Sequence, residues 1–113
     1  MIKVEAVVKS EQLEPVKDAL NAIDVHGMTV SNVYGCGMQK GFAQAEADNL
    51  DLQLVNEVKF EIVVSDETWA DKVIDAIQRT AYTGEYGDGK IFSYDMRTAT
   101  RIRTGETGYA ALQ

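Results

Sequence analysis

Three glycine-punctuated segments hold the residues best suited to chemistry, and each carries cations. Gly87, Asp88, Gly89 and Lys90 form the first. Glycine lets a phosphate or a ribose approach the backbone closely, and a lysine adds a point charge. A tight turn leading into a strand demands the same Gly and Asp, so this segment alone does not decide between the two readings. The second is Arg101, Ile102, Arg103, Thr104, Gly105 and Glu106. In an extended chain its two guanidinium groups point to one side, and each fork can donate two charge-assisted hydrogen bonds to a polyphosphate. A solvated edge strand guarded by charge has the same composition. The third runs through Gly35, Cys36, Gly37, Met38, Gln39, Lys40 and Gly41. There Lys40 suits a phosphate and the Gln39 amide oxygen suits Mg²⁺. The spacing is not that of a Walker loop, and no Ser or Thr follows the lysine.

Other candidates are weaker. His26 has no second histidine or cysteine partner nearby, and is read as a surface or turn residue rather than a catalytic base. Cys36 is the only cysteine of the chain, which excludes an intrachain disulfide and argues against a thiolate zinc site. It is read as a small packing residue. No catalytic residue is assigned.

These segments need elements to hold them. Ile2–Lys9 alternates with the period of a half-buried strand. Leu13, Val16, Leu20 and Ile23 recur at helical spacing, and Pro15 is tolerated in the first turn. Residues 28–34 read as a second strand, and Val58, Phe60, Ile62 and Val64 mark a third. Between them, residues 37–56 show neither period and read as one long loop. Ser65 is expected to cap a second helix with Trp69, Val73 and Ile77 as its buried stripe. A glycine-rich connection then leads to a last strand over residues 90–96. The order βαββαβ predicts an α+β, ferredoxin-like single domain over residues 1–113, an antiparallel sheet with both helices on one face. The other face is left uncovered. Apolar residues on both alternating sets of the first and last strands, Val7 beside Val8 and Ile91 beside Phe92, predict that it packs against copies of the chain.

Composition narrows the function. The 113 residues carry a formal charge of −7, which argues against general attraction to nucleic acid. No run is apolar enough to cross a bilayer and no signal-peptide core follows Met1, so a cytoplasmic protein without membrane insertion is expected. Charge is unevenly spread, however. Glu46, Asp48, Asp51 and Glu57 fall between Lys40 and Lys59 with no base among them, while Lys90, Arg97, Arg101 and Arg103 gather late in the chain. A local anion site is compatible with an acidic whole.

Taken together, the segments resemble the PII signal-transduction family from end to end. Thr83-Gly84, then Gly-Asp-Gly-Lys-Ile-Phe from Gly87, then Arg-Ile-Arg-Thr-Gly-Glu from Arg101 is a specific combination, joined by Gly27-Met28-Thr29-Val30, Gln39-Lys40-Gly41 and the strand up to Val64. The resemblance implies a homotrimer that binds ATP and ADP in the clefts between subunits. Gly87, Asp88, Gly89 and Lys90 of one subunit would hold ribose and phosphates, with Arg101 and Arg103 reaching in from the next. Thr29 and the strand around Val64 would flank adenine. Gly35, Gly37, Met38, Gln39 and Lys40 would sit near the phosphates, Gln39 also on Mg²⁺. Residues 37–56 correspond to the family's T-loop, which docks on a transporter or enzyme, residues 82–90 to its B-loop, and residues 101–113 to its C-terminal loop.

Three departures stand out. Met38 replaces the family's usual arginine, Glu57 replaces the lysine that pairs with 2-oxoglutarate, and no tyrosine lies between Gly41 and Val58. They imply altered ATP/ADP discrimination, weak or no 2-oxoglutarate response and no uridylylation. A non-enzymatic energy sensor is thus the leading reading. A slow Mg-dependent ATPase or phosphotransferase lacks an evident base or nucleophile, and a ligand-free structural adaptor is the third alternative.

Overall fold

The computed structural model describes residues 1–38 and 52–112. Alternation in strand β1 (Ile2–Lys9) puts Ile2, Val4, Ala6 and Val8 into the core and Lys3, Glu5, Val7 and Lys9 on the opposite face. A single 3-10 turn, Ser10–Gln12, leads into helix α1 (Leu13–Ala22), whose Val16 and Leu20 are fully buried while Leu13 and Ile23 pack at the margin. Strand β2 (Thr29–Met38) and strand β3 (Leu52–Val64) form the longest pairing, helix α2 (Glu67–Ala81) follows, and strand β4 (Gly89–Asp95) closes the sheet. The spatial order is β2-β3-β1-β4, antiparallel throughout. This is the ferredoxin-like α+β arrangement expected from the element order.

Two boundaries differ from expectation. Residues 37–56 are not loop from end to end: β2 and β3 continue in register through Gly35↔Val55, Cys36↔Leu54, Gly37↔Gln53 and Met38↔Leu52. Sequence periodicity misses this because glycines contribute no side chain to the alternation. The ribbon also has solvent on both sides, with Tyr34, Leu54 and Val55 all exposed, so no buried set of positions repeats. At α2 the cap is Asp66, not Ser65. Asp66 has extended backbone and its carboxylate accepts from the Trp69 N–H at 2.9 Å, while the Ser65 hydroxyl only reaches Asp66 at 3.5 Å. The buried stripe is Ala70, Val73, Ile77 and Ala81; Trp69 packs at its edge, stacked under the Lys72 ammonium 4.6 Å from the ring centre.

Both helices cover one face of the sheet over Phe60, Ile62 and Val58. The other face is open, and its centre is polar. Lys3 pairs with Glu61 at 2.8 Å and Glu5 at 3.5 Å, Lys59 sits 4.0 Å from both carboxylates, and the Tyr94 hydroxyl donates to Glu5 at 2.8 Å. The Tyr94 bond, followed by the nearby lysines, holds the Glu5 carboxyl below its ordinary range, and the Glu61 contact pushes Lys3 up. Phe92 and Tyr94 flank this lattice, 51% and 45% exposed. The expected apolar open face is therefore a charge lattice with an aromatic border. None of the described helices is long and apolar enough to cross a membrane.

Candidate nucleotide site

An open cleft of about 1070 Å³ lies where the end of β1, the β2–β3 ribbon and the connection from α2 to β4 meet. It brings together five of the residues singled out from sequence: Gly35, Gly87, Asp88, Gly89 and Lys90. Lys9, Cys36, Glu57, Glu85 and Phe92 complete much of the wall. Thr29, Val64, Arg101 and Arg103 are not brought to it within one chain. Thr29 opens β2 opposite Glu61 and is exposed. Val64 pairs with Ile2 at the far end of β1 and its side chain belongs to the core. Gly37 and Met38 end β2; Gln39 and Lys40, with the Mg²⁺ assignment to Gln39, lie outside the described residues.

The connection between α2 and β4 is shaped by glycine. Gly84, Gly87 and Gly89 have φ of 84°, 96° and 104°, a region that favours glycine. At Gly89 the requirement is doubled, because a β-carbon would run into the Val7 carbonyl oxygen. Asp88 is turned back into this connection rather than outward. Its carboxylate accepts from the Thr83 N–H at 2.9 Å, the Gly84 N–H at 3.0 Å and the Thr83 hydroxyl, and it faces the Lys9 ammonium at 3.4 Å. Those donors, the Thr83 hydroxyl first, lower its pKa to about 2. What Asp88 offers a ligand is its backbone. Lys90, by contrast, is exposed and has no ion-pair partner among the described residues.

The segment from Arg101 is a turn, not the extended strand that sequence suggested. The Gly105 N–H donates to the Arg101 carbonyl and the Arg101 N–H to the Glu106 carbonyl, both at 2.8 Å, and Thr100 bridges Thr107. A closed turn does not project alternate side chains in parallel. The Arg101 guanidinium instead meets Glu106 at 3.3 Å, while Arg103 is exposed without a partner among the described residues. Beyond it, Gly108–Leu112 forms a short 3-10 helix where sequence suggested no element.

Sequence reasoning missed Lys9 as the partner of Asp88. A lysine closing an alternating strand looks like any solvated strand end, and only the return of the chain 74 positions later brings Thr83 to its ammonium. Glu57 stands in the cleft wall against Gly35, a placement that no local sequence pattern carries. His26 is exposed, 3.0 Å from Asn21 and 3.8 Å from Asp24, as a turn residue should be.

The antiparallel sheet and its two helices define a ferredoxin-like α+β protein with an open, glycine-lined cleft whose wall holds Lys9 and Lys90 beside Glu11, Glu57, Glu85 and Asp88. The family profile "Nitrogen regulatory protein P-II" matches residues 1–106, and the chain belongs to this family of nitrogen regulatory signal proteins. It is 43% identical over 113 residues to nitrogen regulatory protein P-II of Pasteurella multocida, covering 99% of this chain and 100% of that one. With nitrogen regulatory protein GlnK of Escherichia coli K12 it shares 40% over 110 residues, 96% and 97% of the two chains. Among solved structures, the B. subtilis GlnK–ATP complex is similar with a TM-score of 0.80 and 39% identity over 98% of this chain and 96% of that one.

Proposed function

We propose that this protein is a homotrimeric sensor of adenine nucleotides. ATP and ADP compete for the cleft, and the β2–β3 ribbon with the T-loop beyond it carries the result to a transporter or metabolic enzyme in the cytoplasm. The observation that supports this most is the gathering of Gly35, Gly87, Gly89 and a Lys90 with no ion-pair partner among the described residues around one cleft, in a chain 39% identical to a GlnK solved with ATP.

Trimerisation would supply what one chain lacks. Arg101, Arg103, Thr29 and the strand at Val64 stand away from the cleft of their own protomer, so in this reading a neighbour brings them to the nucleotide. The charge lattice and its aromatic border on the open sheet face are the surface that such neighbours would cover. Glu57 in the wall would repel a dicarboxylate, which favours weak or no 2-oxoglutarate binding. Signal strength is then bounded by the difference in binding energy between the ATP and ADP states.

Calorimetric titration with ATP, ADP and 2-oxoglutarate, with and without Mg²⁺, tests this when combined with a phosphate-release assay. Competitive binding of ATP and ADP with negligible turnover is the expected result. Sustained phosphate release would make the chain an enzyme instead, and no nucleotide binding would leave it an adaptor.

A further inference from the structure

A loop held in shape by several positive-φ glycines has no local reason to keep that shape, since glycine has more backbone freedom to lose than any other residue. Gly84, Gly87 and Gly89 put residues 82–90 in this position. Selection of one conformer must come from contacts made across the loop, and a connected set of them centres on one side chain. Asp88 Oδ2 accepts from the N–H groups of Thr83 and Gly84 at 2.9 and 3.0 Å; Oδ1 accepts from the Thr83 hydroxyl and faces Lys9 Nζ at 3.4 Å. The Thr83 hydroxyl oxygen in turn accepts from the Glu85 N–H at 3.2 Å and from Lys9 Nζ at 3.4 Å. The start of the loop, its end and the last residue of β1 are thereby tied at one point.

The same arrangement removes one conflict of charge. A carboxylate two residues from Lys90, in a cleft meant for phosphate, would either repel the ligand or quench the lysine. Here Asp88 is satisfied by Lys9 and by donors of the loop itself, and Lys90 keeps its charge unpaired among the described residues.

We propose that Asp88 is a positioning residue: with Thr83 and Lys9 it clamps the 82–90 loop so that the glycine backbone and Lys90 are presented to a polyphosphate, and its carboxylate does not touch the nucleotide. This rests on the nucleotide-sensing reading above.

Asp88→Asn, Thr83→Val and the double variant, each checked for folding by circular dichroism, are titrated with Mg–ATP and with Mg–tripolyphosphate, a probe that has no ribose. Amide exchange at Thr83 and Gly84 is followed in the ligand-free protein. Asp88→Asn is expected to weaken both ligands about tenfold, the loss of one charge-assisted contact. The double variant binds no more weakly than Asp88→Asn, because both changes break the same clamp, and exchange at Thr83 and Gly84 speeds up. The clamp is wrong if the two losses multiply, if Asp88→Asn weakens ATP but spares tripolyphosphate, or if neither ligand is affected. Thr83→Val carries the same comparison of ATP with tripolyphosphate should Asp88→Asn fail to fold. Wild-type protein that binds no adenine nucleotide would refute the sensing reading itself, a result visible before any variant is made.

Discussion

Asp88 shows how one residue type supports opposite readings until its partners are known. Between two glycines and before a lysine it looks like a ligand-binding acid; its hydrogen bonds make it a loop anchor. The anchor has a pH signature. Its folded pKa of about 2 lies below the ordinary 3.8, so its stabilisation is complete above that ordinary value and is lost as pH falls toward 2. Thermal melts between pH 5 and about 2 should therefore show a steep acid-side decline in the wild type and a shallower one, from a lower starting Tm, in Asp88→Asn. Equal slopes would remove the anchor role. Glu57 is the other decisive residue, a carboxylate where the family resemblance places a lysine. Glu57→Lys is expected to raise affinity for 2-oxoglutarate in the presence of Mg–ATP, read by calorimetry; an unchanged affinity would mean that Glu57 is not what weakens the response.

At the scale of elements, the sheet does the positioning. The β1–β4 pairing brings Lys90 opposite Val7 and Gly89 opposite Val8, which is why the loop before β4 arrives beside Lys9. The register also demands a glycine at position 89, since the Val7 carbonyl occupies the space of any side chain there. Helix α2 delivers the other end of the loop, and its start is set by the Asp66 cap. Asp66→Ala should cost about 1 kcal/mol of unfolding free energy in urea titrations, the usual loss of an N-cap, whereas Ser65→Ala should cost well under that. The reverse order would restore Ser65 as the cap. The cap lies one residue from its expected place, while the β2–β3 ribbon reaches on to Met38 and back to Leu52, into the segment expected as loop. They moved because side-chain types permit several neighbours to cap or pair, and hydrogen-bond geometry chooses among them.

For the whole molecule, the open face is the remaining question of assembly. Its lattice of Lys3, Glu5, Lys59 and Glu61 neutralises itself, so burying it against copies leaves no unpaired charge. Phe92 on the border gives such an interface apolar area. Phe92→Asp should shift sedimentation toward smaller species by placing a charge on that border. A variant that stays fully assembled would place the interface elsewhere.

What the sequence determined by itself was the order of strands and helices, the core faces of β1, α1 and β3, and the glycine and cation segments, because periodicity and backbone permissiveness are local properties. Tertiary structure alone decided that Arg101 lies in a turn, that Lys9 serves Asp88, and that Gly35 shares a cleft with Lys90 while Thr29 and Val64 do not. Those facts depend on which distant parts of the chain meet. Strand pairing sets that through register, and register is a relation between segments that neither segment carries alone.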